Sequence, residues 1–287
     1  MEWMAFRIDS SCKTDVNSLK DKAKAANGVE LVRVPEWETL PWLWHGFSTR
    51  VGGVSTAYAD LGGQPELNLG FTAEDARENV ERNRELLAEA VTGEAKTPIA
   101  TVRQIHSNTV TVAVEAVAGG ICEGDGLITD RPGLLMGVLT ADCIPVLVAD
   151  ERRKVVAAFH AGWRGTVKRI VEGGTERMRL EFGSRPEDLI AAIGPGIGPC
   201  CYAVGEELLS EFSSQFSYAP ELFHEAGAAL HLDVAEANRR QLLDAGVQAA
   251  NIKMVGGCTK CQPKLFFSHR GGNGLAGRML SVIGIKA

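Results

Sequence analysis

Pro145-Val-Leu-Val-Ala149, Asp150-Glu-Arg-Arg153 and Lys154-Val-Val-Ala-Ala-Phe-His160 follow one another without a break. Two short apolar runs joined by a charged four-residue segment read as a β-hairpin. A turn centred between Glu151 and Arg152 makes paired residue numbers add to 303, which sets Cys143 opposite His160. Directly opposed side chains in an antiparallel pair have Cβ atoms about 4.5–5.5 Å apart, within reach of a common metal ion. Pro145 lies between the hairpin and Cys143 and is the point at which that pairing can fail.

Outward from the hairpin, further strand-like runs cover residues 30–34, 42–48, 99–104, 109–114, 134–139 and 189–193. Helical patterns interleave with them. Thr72 and Asp75 resemble a capping pair before a helix that runs to about Ala90, and Asp233 with Glu236 opens another that ends near Ala245. After Gly165, the apolar residues Val167, Ile170, Val171 and Met178 recur at helical spacing, interrupted by Gly173-Gly174. Helical character also marks residues 16–26. The expected fold is mixed α/β, a single-domain layered sandwich of mixed sheets flanked by helices. A polar extension over 1–30 precedes one domain over 31–287, with no linker or repeat dividing it.

Strand ends that open into glycine turns are where side chains meet small molecules. Cys143 ends Thr140-Ala-Asp-Cys143, and His160 is followed at once by Ala161-Gly-Trp-Arg-Gly165. His106, in Gln104-Ile-His-Ser-Asn108, has the same setting and supplies a third candidate ligand. Three protein donors with one open position describe a catalytic zinc site. A buried cysteine beside two hydrogen-bonded histidines fits the same residues.

Composition narrows the function. The net charge of −6 comes with no basic run, which argues against nucleic acid or an anionic membrane surface as partner. With 45% hydrophobic and 23% charged residues the chain has the balance of an ordinary globular protein and no membrane-length apolar stretch. The first residues lack a signal-like apolar core, and seven cysteines is an odd number, so the expectation is a protein of the reduced cytoplasm acting on small molecules.

The ordered motifs resemble the YfiH-like, or laccase-domain, family of purine nucleoside phosphorylases, once described as polyphenol oxidases. The resemblance runs from about His45 to the C-terminus. It rests on His45-Gly-Phe-Ser-Thr-Arg50, Gly52-Gly-Val-Ser55, Asn68-Leu-Gly70, Gln104-Ile-His106, Gly124-Asp-Gly126 and Thr140-Ala-Asp-Cys143. It continues through His160-Ala-Gly-Trp-Arg-Gly165, Ile193-Gly-Pro-Gly-Ile-Gly-Pro-Cys-Cys-Tyr202, Cys258-Thr259, Phe266-Phe-Ser-His-Arg270 and Gly277-Arg278. The resemblance implies that His106, Cys143 and His160 bind a metal, usually zinc, with copper also reported for such proteins. It implies phosphorolysis of adenosine, inosine, guanosine and methylthioadenosine with phosphate as co-substrate, and deamination of adenosine. Two departures bear on substrate preference: residues 60–66 look like a local insertion, and Gly271-Gly272 replaces the charged residue expected after Arg270.

Four further residues are candidates for the chemistry. Arg50 and Arg164 offer guanidinium groups suited to phosphate, against a salt bridge for the first and a turn anchor for the second. Asp125 and Asp142 are candidates for orienting a histidine or moving a proton, against a turn-forming role for Asp125. The glycine-rich 193–199 segment lacks the pattern of a P-loop or dinucleotide fingerprint and reads as a tight turn near the pocket. Cys258-Thr-Lys-Cys261 with Cys200 and Cys201 can compose a four-thiolate zinc site, against the default of buried free thiols. His269 is placed to approach substrate, whereas Trp37, Trp42 and Trp44 read as core.

Rival functions share these residues. Six histidines without a His-x-His pair exclude the multicopper laccase mechanism and leave a mononuclear copper oxidase. A metal-free thiol hydrolase with Cys143 as nucleophile and His160 as base is a second rival. A non-catalytic zinc-binding protein is the third.

Overall fold

The computed structural model describes residues 21–59, 63–115, 122–227 and 229–287. Its centre is the quoted hairpin, Ile144–Asp150 against Val155–Ala161, with every residue of both strands buried. Alternate residues face opposite ways along a strand. Ile144, Val146, Val148, Val155, Ala157 and Phe159 join one apolar cluster, and Leu147, Ala149, Val156 and Ala158 join another. Both faces are covered, so the run is apolar throughout instead of alternating.

Among the described residues, this hairpin is the middle of a six-stranded mixed sheet. Its spatial order is Ile252–Met254, Leu189–Ile193, Ile144–Asp150, Val155–Ala161, Gly126–Thr129 and Val110–Val112. A second six-stranded sheet runs Lys22–Lys24, Glu30–Val32, Leu43–Ser48, Met279–Ile285, Leu135–Thr140 and Ile99–Ala100. Phe47, Met136, Val138 and Ile283 of the second sheet pack with Leu147, Ala149, Val156 and Ala158 of the first to fill the sandwich. Helix Arg77–Thr92 covers the second sheet's outer face through Leu86, Leu87 and Val91. Helices Ile170–Phe182, Glu206–Gln215 and Val234–Asp244 cover the outer face of the first. The fold is the layered mixed α/β sandwich expected. No described helix is long and apolar enough to cross a membrane.

Four local expectations are corrected. The hairpin numbers add to 305: His160 pairs with Pro145, and Asp150 with Val155. The loop has four residues because Asp150 Oδ1 accepts hydrogen bonds from the N–H groups of Arg152 and Arg153, both at 2.9 Å, and Lys154 takes a left-handed φ of 55°. Thr72 and Asp75 do not cap the first helix, whose flanking residue Ala76 has no side-chain cap. Thr72 instead meets the Tyr58 hydroxyl at 2.6 Å, and Asp75 accepts from Asn68 and Asn79 at 2.7 and 3.0 Å. The helical reading of 16–26 lies partly outside the described residues, and within them Lys22–Lys24 is a strand paired with Glu30–Val32. The helix after Gly165 is two, Trp163–Val167 and Ile170–Phe182, broken where Arg169 adopts φ 60°. Asp233 does cap its helix, accepting from Glu236 N at 2.9 Å. Of the suspected insertion, residues 60–62 lie outside the described residues.

Candidate metal centre and adjoining cleft

His106, Cys143 and His160 come together at one end of the sandwich, each offering a ligand atom, with those atoms all within 4.8 Å of one another. The shifted register puts Cys143 diagonally across from His160, two residues beyond Pro145. Continuing the same count places Gly162 opposite Cys143, and that glycine makes the convergence possible. A Cβ on Gly162 would stand 3.0 Å from Cys143 Sγ and 3.1 Å from His106 Cδ2.

Asp125 organises the centre. It is fully buried, and its Oδ1 accepts from His160 Nδ1 at 2.8 Å, which leaves Nε2 as the ring's ligand atom. The same carboxylate accepts from the backbone N–H groups of Ile105, His106 and Ser107 at 3.3, 3.0 and 2.5 Å and from the Ser107 hydroxyl at 2.7 Å. One side chain therefore aligns one histidine and holds the loop of the other. His106 itself has a left-handed φ of 57°, a conformation that costs energy for a non-glycine residue and is sustained by those bonds. Gln104 fastens the preceding residues to the strand Leu135–Thr140, donating to Leu139 O at 2.8 Å and accepting from Leu139 N at 2.7 Å.

The electrostatics follow from this packing. Burial raises the Asp125 pKa, but hydrogen bonds from His160 and Ser107 outweigh it and hold the carboxyl at about 2. Burial also raises Cys143, and the adjacent His160 and His106 bring it down to about 6. For His160 burial opposes the charge, while Cys143 and Asp125 favour it and win. A thiolate beside imidazoles is a donor set for a dication. Zn–S and Zn–N bonds of about 2.3 and 2.0–2.1 Å in a tetrahedron imply an N···S separation near 3.6 Å. Cys143 Sγ and His106 Nε2 stand 3.9 Å apart. The residues fit zinc.

The other expected site residues occupy different places. Asp142 has φ 95° and spends its carboxylate on the framework: Oδ1 accepts from Thr259 Oγ1 at 2.6 Å and Oδ2 from Arg270 N at 2.7 Å. Arg50 pairs with Glu66 at 2.6 Å, donates to Pro263 O at 2.6 Å and lies over the Phe267 ring at 4.7 Å. Arg164 is exposed, its guanidinium 4.4 Å from the Trp163 ring centroid. His269 is exposed. His45 is buried and accepts from Val34 N at 3.0 Å. Trp37 is buried core, and Trp42 and Trp44 pack against the apolar clusters. In the glycine-rich turn, a Cβ on Gly194 would lie 2.2 Å from the Phe47 ring, and one on Gly196 2.3 Å from Ile144 Cδ1. Those glycines serve close packing.

A cleft of about 520 Å³ is lined by Trp163, Tyr202, Ala203, Val204, Gly205, Glu207, Leu208 and Arg270. It adjoins the trio through Trp163, next to Gly162. Arg270 donates to Ala203 O at 3.0 Å and lies over the Tyr202 ring at 5.2 Å. Burial pushes the Tyr202 hydroxyl up to about 12, with Cys143 adding to the effect. The roles of Gly162, Gln104, Thr259, Tyr202 and Arg270 are absent from the sequence reading. Tyr202 and Arg270 stand inside quoted motifs, but only the fold brings those motifs to one wall.

The family model for multi-copper polyphenol oxidoreductase laccase matches residues 44–286. The chain is 41% identical to a purine nucleoside phosphorylase of Deinococcus radiodurans over 91% of this chain and 94% of that one. It is 38% identical to adenosine deaminase RL5, from an unknown prokaryotic organism, over 54% of this chain and 59% of that one. The crystal structure of YlmD from Geobacillus stearothermophilus superposes with a TM-score of 0.81 at 32% identity, covering 93% of this chain and 99% of that one.

Proposed function

The chain belongs to the multi-copper polyphenol oxidoreductase laccase family, whose curated relatives include purine nucleoside phosphorylases, and we propose that it is itself a zinc-dependent purine nucleoside phosphorylase. The observation that carries the reading is the convergence of His106, Cys143 and His160, open beside an aromatic and cationic cleft. The cleft volume lies within the roughly 300–1,000 Å³ of small-molecule sites. The reading takes residues 31–287 as the catalytic unit and the protein as a cytoplasmic monomer. Its substrates are adenosine, inosine, guanosine and methylthioadenosine.

A bound zinc ion supplies Lewis acidity. The protein's own groups do the rest. Asp125 accepts a hydrogen bond from His160 Nδ1 and so keeps Nε2 turned to the centre. Trp163 and Tyr202 offer aromatic surface to a purine base. Arg270, which lines the cleft, and Arg164, whose guanidinium lies over the Trp163 ring, provide the paired donors that suit phosphate oxygens. Phosphate held beneath the ribose attacks C1′, the bond from C1′ to the purine nitrogen breaks, and the departing base takes a proton. The positive field of the arginines favours phosphate there, in a transition state where the sugar carries oxocarbenium character. Asp142 and Arg50 act as positioning residues: one ties the Cys143 turn to Thr259 and Arg270, the other holds the 263–267 loop. Deamination of adenosine at C6, replacing the amino group by water oxygen, is the second activity assigned to the site. Its support is the relative named adenosine deaminase.

The test is inosine turnover with and without added phosphate, with metal content measured on the same preparation. Phosphate-dependent release of ribose 1-phosphate is expected. Equal rates without phosphate would indicate hydrolysis and sink the phosphorylase reading. Cys143→Ala should lower zinc occupancy and suppress phosphorolysis and deamination together. If that variant kept its metal and lost activity, Cys143 would be a nucleophile instead of a ligand.

A further inference from the structure

The three tyrosines of the chain differ in what their hydroxyls meet. Tyr58 Oη bonds to Thr72 Oγ1 at 2.6 Å and donates to Glu74 at 3.0 Å, and Tyr218 Oη donates to Asp244 at 3.4 Å. Tyr202 lines the cleft, and among the described residues its hydroxyl has no hydrogen-bond partner. A tyrosine packed this far into a protein ordinarily finds a partner for its O–H.

The residue is firmly held. Tyr202 N donates to Gly198 O at 3.0 Å, and Tyr202 O accepts from Leu232 N at 3.1 Å. The side chain packs against the apolar cluster that includes Phe212 and Leu232. Backbone and ring are thus fixed, and what the residue leaves uncommitted is the O–H.

Charges of both signs act on that hydroxyl. Arg270 lies over the Tyr202 ring at 5.2 Å, and Arg164 lies over Trp163, the neighbouring aromatic wall, at 4.4 Å. Burial first, then Cys143, hold the phenol protonated against the pull of the two arginines. A protonated phenol offers a hydrogen to an anion and brings no charge of its own. The distinction matters beside the trio. A third guanidinium there would repel the metal ion that His106, Cys143 and His160 are suited to hold, whereas a neutral donor does not.

We propose that the Tyr202 hydroxyl is the third donor of a phosphate subsite whose other donors are Arg270 and Arg164. The inference rests on the phosphorylase reading, in which those arginines receive the phosphate. Hydrogens from guanidinium and hydroxyl groups both suit phosphate oxygens, and bonds to an ionised acceptor are the strong ones. The Tyr202 ring still offers its surface to the base, so ring and hydroxyl serve different parts of the reaction.

The experiment compares zinc-loaded wild type, Tyr202→Phe and Tyr218→Phe, with phosphate varied at saturating inosine and inosine varied at saturating phosphate. Phenylalanine keeps the ring and removes only the hydroxyl. The KM for phosphate should rise about 10–100-fold in Tyr202→Phe, the size of one hydrogen bond to a charged group. Its KM for inosine, zinc content and urea midpoint should match the wild type. Tyr218→Phe should leave both KM values unchanged. The proposal is overturned if Tyr202→Phe keeps the wild-type KM for phosphate. It is overturned too if only the KM for inosine rises, which would assign the hydroxyl to the nucleoside, or if both rise while the urea midpoint falls, which would make the hydroxyl structural. Failure of the phosphorylase reading looks different, because wild-type turnover then proceeds equally without phosphate. In that event calorimetric titration with inorganic phosphate decides the matter. Weaker binding to Tyr202→Phe than to the wild type supports the subsite, and equal or absent binding overturns it.

Discussion

His160 Nδ1 and Asp125 Oδ1 are 2.8 Å apart, and the same carboxylate gathers the N–H groups of the loop that carries His106. The two histidines of the centre are thus positioned by one buried group, not by two independent turns. Asp125 therefore reads as a positioning residue whose loss disturbs both ligands at once.

Asp125→Asn tests this. The amide keeps the shape, but its NH2 group must face N–H donors or the His160 ring in place of an acceptor oxygen. Removing such an outer partner typically lowers metal affinity by about 10–100-fold. Competition with a zinc chelator should show a loss of that size. Unchanged affinity would reduce Asp125 to a turn residue.

Gly162→Ala should empty the centre while sparing the fold. Its backbone, at φ −70° and ψ 166°, suits alanine, so no strain arises there. The new Cβ would instead press on Cys143 Sγ and His106 Cδ2 at 3.0 and 3.1 Å. His106 cannot yield easily, because Asp125 pins its loop. The expected outcome is protein with near wild-type thermal stability, low zinc content and little activity. A fully zinc-loaded, active Gly162→Ala enzyme would refute the close approach.

The layered fold was legible because apolar runs such as Ile144–Asp150 and Val155–Ala161 mark strands covered on both faces, and because Asp233 signals its helix. The strand Met279–Ile285, central to its sheet, was missed: Ser281 and Gly284 interrupt its apolar pattern and nothing nearby pairs with it in sequence. The three residues that converge, His106, Cys143 and His160, were legible at strand ends, yet the register that was meant to unite two of them was off by two. Asp150, which widens the loop by accepting from its backbone, looked like an ordinary turn residue. The cleft wall was illegible for a plainer reason. Trp163, Tyr202 and Arg270 are far apart in the chain, and only the packed turns join them.

Adjacent glycines in the helix Ile170–Phe182 should respond with opposite signs. A Cβ on Gly173 meets nothing within 4 Å, whereas one on Gly174 would stand 2.4 Å from the Phe159 ring. Gly173→Ala should stabilise by about 0.5–1 kcal/mol, through lower unfolded-state entropy. Gly174→Ala should destabilise by about 1–3 kcal/mol, as overpacking does. Urea unfolding midpoints of the two variants on either side of the wild type would agree. Both moving the same way would mean that the helix sits differently on the sheet.

His45 should make the protein sensitive to acid independently of the metal centre. The ring is buried, its Nε2 accepts from Val34 N at 3.0 Å, and its edge meets Trp37 with 5.2 Å between ring centroids. Glu38 lies 3.7 Å from Nε2, but a nitrogen whose lone pair serves Val34 is uncharged and forms no ion pair. Burial first, then the charge of Arg33, lowers the pKa from 6.5 to about 3. Between those values the unfolded chain binds a proton at His45 and the folded chain does not. Unfolding therefore takes up a proton there, and the stability associated with His45, complete above pH 6.5, falls as pH drops towards 3. Urea midpoints measured from pH 7 to 4 should decline more steeply for the wild type than for His45→Gln, which retains an acceptor oxygen but does not titrate. The difference in slope should correspond to nearly one proton in the middle of that window. Parallel curves would show that His45 can be protonated in place, and that its bond from Val34 is not what holds the strand Leu43–Ser48 to the turn before Trp37.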